Sequence, residues 1–189
     1  MATSRATANK GSDAIAMLKA DHDKVKKLFK EFERMHKAES EEEAEQLATQ
    51  ICNELTIHAA LEEEIFYPEV RAAMDDEELI DEAEVEHASA KELIAQIESA
   101  HSGDEKFAAK VIVLGEYVNH HIKEEQDEMF PKAKRAKVDM AALAERMAAR
   151  KEELKAERGM MDEDYEAQES SPMPPKKGRS SRTTHAGRR

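Results

Sequence analysis

A chain of 189 residues has room for one ordinary domain plus extensions. With 6 glycines, 5 prolines, no tryptophan and abundant Ala, Glu, Lys, Leu and Met, its composition is that of a helical protein and excludes a strand-rich one. The net charge of −13 hides a division: residues 1–12 carry two basic side chains and residues 170–189 carry six, with no acid in either, which leaves the chain between them at −21 and argues against a nucleic-acid-binding core.

Five helical segments are expected in chain order. The first spans about Asp13 to Lys37, N-capped by Ser12, with Ile15, Leu18, Val25, Phe29 and Phe32 forming one apolar face. The second starts after Ser40, where Ser40-Glu41-Glu42-Glu43 reads as a capping box, and runs to about Met74 with a bend at Pro68. The third covers about Asp76 to Ala100 and stops at His101-Ser102-Gly103. The fourth runs from Asp104 to about Lys134, bending near Pro131. The fifth, about Asp139 to Glu157, is amphipathic through Met140, Leu143, Met147 and Leu154. By composition residues 1–12 and 159–189 are expected to be disordered, with the basic tail making at most weak, salt-sensitive contacts to polyanions.

The single cysteine, Cys52, has no partner in the chain for a disulfide, which suits a reducing compartment. No segment approaches the roughly 20 apolar residues of a membrane span, and Met1 to Ser12 lacks the apolar core of a secretory signal. A cytoplasmic protein without membrane association is expected.

An internal repeat organises the chemistry. Asp21-His22 and Glu86-His87 begin matching stretches, with Lys26, Leu28 and Glu33 repeated as Lys91, Leu93 and Glu98. The second helix carries His58, Glu62 and Pro68; the fourth repeats them as His121, Glu125 and Pro131, with an aromatic, Tyr67 or Phe130, before each proline. Two helical hairpins make a four-helix bundle. In antiparallel helices, residues equidistant from a turn lie at one height. The midpoint of His22 and His58 is residue 40, that of His87 and His121 is 104, and that of His58 and His87 falls at 72–73, each at or near a proposed turn. Four histidines from four helices therefore fall in one layer. Glu62 and Glu125 follow His58 and His121 by four residues and share their faces. Six polar groups converging in an apolar interior need partners, and a pair of metal ions supplies them, with imidazoles giving nitrogen and carboxylates bridging.

The paired His-x3-Glu motifs and the lone helix histidines resemble the hemerythrin family, in its bacterial HHE cation-binding branch, over residues 13–135. The resemblance implies an all-α, up-down four-helix bundle, with residues 136–158 as an appended helix. It implies a non-haem centre of two Fe ions, Mn or Zn being the other ions such a cage accepts. The ligands carried over by motif are His22, His58, Glu62, His87, His121 and Glu125, with both glutamates bridging. The implied partners are small oxygen species: dioxygen, peroxide or nitric oxide. In this sequence Lys91 stands where oxygen-carrying hemerythrins have a further histidine, and Glu125 replaces an aspartate spaced one residue farther on. These departures point away from simple reversible oxygen carriage and toward peroxide decomposition. A sensor read by a partner through the fifth helix or tail, and a metal-free scaffold, are the competing readings.

A lone histidine on an apolar face is ordinarily a hydrogen-bonded core residue; four in one layer, two with paired carboxylates, reverse that reading. His120 points about 100° away from His121 and is a flanking residue. His36 and His101 lie about 21 Å along the helix from His22 and His87 and belong to helix ends. The Glu-x-x-His spacings ending at His36, His87 and His101 sit at two heights, which rejects a ferritin-like site. Glu54 and Tyr117 are expected to face inward one turn from the ligands, and Cys52 to be structural.

Overall fold

Asp13 opens the first helix: its side-chain oxygen accepts a hydrogen bond from the Ala16 backbone N–H at 2.7 Å, so Asp13 caps α1 (Ala14–Lys37). The expected cap, Ser12, lies outside the residues that the computed structural model describes, 13–74 and 77–160. The two expected disordered tails also lie outside them, apart from Gly159 and Met160. The apolar face of α1 is buried as its periodicity predicts, from Ile15 and Leu18 through Val25 and Phe29 to Phe32. The helix ends in a left-handed residue, Glu39 (φ 58°). The Ser40 N–H then reaches the Met35 carbonyl at 3.1 Å, which closes a Schellman turn. α2 (Glu41–Leu61) starts at Ser40, but the Ser40 side chain makes no capping bond. The expected capping box is absent; the backbone of Ser40 is committed to the preceding turn.

Both prolines bring a local change of helix type. Each is preceded by one turn of π-helix, at Glu62–Phe66 and at Glu125–Met129. Short helices α3 (Tyr67–Ala73) and α6 (Phe130–Arg135) follow, each with its proline near the start. A regular helix would drive the proline ring into the carbonyl four residues back. The wider turn, in which Tyr67 and Phe130 donate to the carbonyls of Glu62 and Glu125 five residues earlier, removes that clash. The glutamates that the motif singles out therefore open both π-turns.

The second half repeats the first: α4 (Glu78–Glu98) and α5 (Phe107–Glu124) form the return hairpin. α1 packs on α2 and α5, and α4 on α5 and α2, giving the four-cornered up-down bundle. Gly115 brings α5 close to α1, since a Cβ there would lie 3.1 Å from the Phe29 ring. α7 (Met140–Glu157), capped by Asp139, buries Leu143, Ala144 and Met147 and packs on α1, α2 and the first π-turn. The core occupies both ends of the bundle. Toward the hairpin turns it holds Phe29, Phe32, Ile51, Phe107 and Leu114 among others. Toward the opposite end it holds Leu18, Leu61, Phe66, Ile80 and Phe130. Among the described residues no helix is long and apolar enough to cross a membrane.

Glu39 holds a conformation that costs a non-glycine residue roughly 1–2 kcal/mol, while glycine loses roughly 0.5–1 kcal/mol of chain entropy on folding. Glu39→Gly is therefore expected to raise stability by about 0.5–1 kcal/mol in urea unfolding, with metal content matched. A variant less stable than the parent would contradict this account of the turn.

Candidate metal centre

Between the two apolar ends lies a polar layer. His22 from α1, His58 from α2, His87 from α4 and His121 from α5 are all buried, and Glu62 and Glu125 are 0% and 1% exposed. The structure thus brings together all six residues singled out by the motif. Each hairpin closes one pair of imidazoles: His22 and His58 approach with Nε2 atoms 3.0 Å apart, and His87 and His121 at 3.1 Å. The carboxylates span the pairs. Glu62 Oε2 lies 3.2 Å from His58 Nε2 and 3.4 Å from His87 Nε2. Glu125 Oε2 lies 3.1 Å from His22 Nε2 and 3.5 Å from His121 Nε2. Both oxygens of Glu62 and Oε2 of Glu125 are buried without a hydrogen-bond partner. Nitrogens about 3.0 Å apart have the spacing of adjacent donors around one ion with bonds of about 2.1 Å. The donor set therefore fits two cations: His22, His58, Glu62 and Glu125 converge on one position, and Glu62, His87 and His121 on a second.

The far nitrogen of each imidazole is addressed by a residue that flanks a ligand. His121 Nδ1 meets Glu86 at 2.8 Å and His87 Nδ1 meets Glu63 at 2.9 Å. The Gln126 side-chain amide meets His22 Nδ1 at 3.0 Å. His58 Nδ1 has no hydrogen bond, and Asp21 stands 3.7 Å away. Tyr67 donates its hydroxyl to Glu125 Oε1 at 3.2 Å, and burial together with Glu62 and Glu125 holds that phenol protonated. Its repeat counterpart Phe130 stacks on His22 instead, ring centres 5.9 Å apart. None of these five partners was given a role from sequence. The signal was present nonetheless: Asp21 and Glu86 immediately precede the α1 and α4 histidines, and Glu63 and Gln126 immediately follow the two glutamates.

Protons stand in for cations in this cage. Burial and the neighbouring His58 push His22 down to about 3. On His58 burial works the same way but is outweighed by Glu62, Asp21 and Glu125, which hold it up to about 10. On His87 burial is outweighed by Glu62 and Glu63, which hold it up to about 9. Burial also works against ionised Glu62, yet His58 and His87 keep its pKa well below the usual carboxylate range. Burial and Glu62 push Glu125 up to about 8.

Glu54 is buried but does not face the centre: it pairs with Lys24 at 2.5 Å. Tyr117 is 50% exposed rather than inward-facing and stands at the rim of a cavity beside the centre. His120 is exposed and meets Glu86 and Glu124. His36 stacks on Phe32, and His101 faces Glu45 at 3.8 Å. The ferritin-like alternative is absent, since Glu33, Glu84 and Glu98 are exposed and Glu84 pairs with Arg71. Cys52 is buried, and burial pushes its thiol up to about 12, which leaves it inert.

The sequence pattern of the Hemerythrin HHE cation binding domain matches residues 13–133. A solved hemerythrin HHE cation binding domain-containing protein from Mycobacterium kansasii shares the fold with a TM-score of 0.64 at 24% identity, covering 78% of this chain and 90% of that one. A DNA nickase from Nostoc sp. is 31% identical over 117 residues, which is 60% of this chain but only 31% of the nickase. The chain thus spans about a third of that relative's length.

Cations entering the cage must displace protons from His58, His87 and Glu125, whose pKa values lie above neutrality. Metal affinity should therefore rise as pH rises from 6 to 8, by about tenfold per unit for each proton displaced. Chelator competition at several pH values measures this, and a flat profile would refute the proton-filled cage.

Proposed function

Because the chain belongs to the hemerythrin HHE cation binding domain family, we propose that it holds two iron ions and reacts with small oxygen species: dioxygen, peroxide or nitric oxide. The observation that carries the reading is Glu62, wholly buried between His58 and His87 with no hydrogen bond to either carboxylate oxygen. An anion so placed needs cations, and across the layer Glu125 Oε2 lies between His22 and His121 in the mirrored position. In this reading His22 and His58 would hold one ion and His87 and His121 the other, with Glu62 and Glu125 shared between them. A thiolate-free cage of imidazole and carboxylate suits iron, with manganese or zinc as lesser occupants. When bound, the ions supply one-electron redox chemistry and open positions for a small ligand.

The protein's own residues set what reaches them. A cavity of about 40 Å³ borders the four histidines and is walled by Val25, Leu55, Ile94, Val118 and Ile122. At roughly 10–15 Å³ per water-sized sphere it has room for diatomic molecules and peroxide. Apolar walls favour uncharged species. Lys91, at the rim, holds Glu63 at 2.5 Å, and Glu63 holds His87. Its role is to brace a ligand histidine rather than to meet the oxygen species. Tyr67, protonated and bonded to Glu125, is the hydroxyl nearest the bridge. The Nostoc relative acts on DNA by its name, but the match covers a minor part of it. The acidic body of this chain supports no such activity here.

Purified anaerobically, the chain should carry about two ions, and His58→Ala or His121→Ala should lower both metal content and melting temperature, since binding is linked to folding. The loaded parent should consume hydrogen peroxide, and oxygen taken up in air should not return on deaeration. Two bound ions with no peroxide consumption and full return of oxygen would make this protein a carrier instead. No metal, with both variants melting like the parent, would make it a scaffold.

A further inference from the structure

α7 begins beyond residue 133, where the family match ends, yet it reaches the metal centre. Leu143, Ala144 and Met147 seat it against the bundle. From the last part of that helix Lys151 Nζ contacts Asp21 Oδ1 at 2.5 Å, in a pair whose side chains are only 19% and 12% exposed. The other oxygen of Asp21 faces His58 Nδ1 at 3.7 Å, and that nitrogen is buried and unpartnered. An imidazole that gives its Nε2 lone pair to a cation carries its proton on Nδ1 and needs an acceptor there. Asp21 is placed to be that acceptor, and Lys151 supplies the charge that keeps a nearly buried carboxylate in place. Neighbouring contacts tie α7 to the first π-turn and the helix after it: Arg150 holds Glu64 at 2.8 Å and Arg146 holds Glu69 at 2.6 Å.

The repeat provides an internal comparison. Glu86, the counterpart of Asp21, already bonds His121 Nδ1 at 2.8 Å, and it does so from α4 with no cation from α7. One half of the centre is thus braced by the bundle itself, and the other through an added helix.

We propose that α7 is a retaining latch on the metal centre, in which Lys151 positions Asp21 against His58 and so slows the departure of the ion held by His22 and His58. The latch rests on the two-ion reading above. It also works in reverse: if docked α7 stabilises the loaded half-site, loading that half-site must stabilise docked α7.

The test uses the full chain loaded with ferrous iron under anaerobic conditions and mixed with excess of a coloured iron(II) chelator. Lys151→Met keeps the packed stem and removes the charge. Arg146→Met removes an α7 ion pair that does not touch the centre. The expected result is that Lys151→Met speeds release of one of the two ions by about 10–100-fold, the scale of effect of disturbing the group that orients a ligand, while Arg146→Met, which removes only a half-exposed ion pair, changes either rate by no more than about threefold. Hydrogen exchange on the parent gives a second measure that needs no variant: amides of α7 should be more protected in the loaded protein than in the metal-free one. Two bound ions with equal release from both variants, or acceleration of both ions alike, overturns the latch alone. Unchanged protection of α7 on loading does the same. A parent chain that takes up no iron overturns the two-ion reading and the latch with it.

Discussion

Ionisable side chains held in one buried layer of an apolar bundle set the terms for everything around them. Glu62 has no access to water and no hydrogen bond to its oxygens, and a carboxylate in that state is costly unless opposite charge sits beside it. The charge comes from protons on His58 and His87 or from cations that replace them. The apolar ends above and below the layer, with Phe66 and Phe130 on one side and Phe29 and Leu114 on the other, shield it from bulk solvent and so strengthen the interactions within it. Stability of the bundle and occupancy of the centre are therefore one problem.

Two prolines serve the same end. Pro68 and Pro131 each follow a π-turn that begins at a site glutamate. A proline in mid-helix is ordinarily a defect. Around the first π-turn successive residues face different partners: Glu62 the centre, Glu63 the outer nitrogen of His87, and Glu64 the Arg150 of α7. π-turns of this kind often mark functional positions.

The repeat builds a nearly twofold centre, and single substitutions break the symmetry. Glu63 corresponds to neutral Gln126, Tyr67 to Phe130, and Glu86 to Asp21, which is shorter by one methylene and leaves a 3.7 Å gap to His58. The His87–His121 side is backed by two bonded carboxylates, and the His22–His58 side by an amide and by an acid shared with α7. The two halves present unequal surroundings to whatever they hold.

Much of this was legible without a structure, because helical periodicity is local. The apolar face of α1, the order of the helices, the repeat, and the meeting of four histidines at one height all follow from spacing alone, since residues equidistant from a turn must lie level. The motif also marked Glu62 and Glu125 by their i+4 relation to histidines. What spacing could not settle was direction within a turn and contact between distant segments. A regular helix places Glu54 and Tyr117 on the inner face; in the folded bundle Glu54 swings to Lys24 and Tyr117 to the cavity rim. The π-turns arise from a clash between a proline ring and a carbonyl, which a pattern of residue types does not display. The reach of Lys151 to Asp21 across 130 positions depends on how α7 packs, which a local pattern does not record. Periodicity determines which face of a helix is buried; only the packed bundle decides which side chain on that face meets which, because that depends on helix rotation and on the competing charges each neighbour brings.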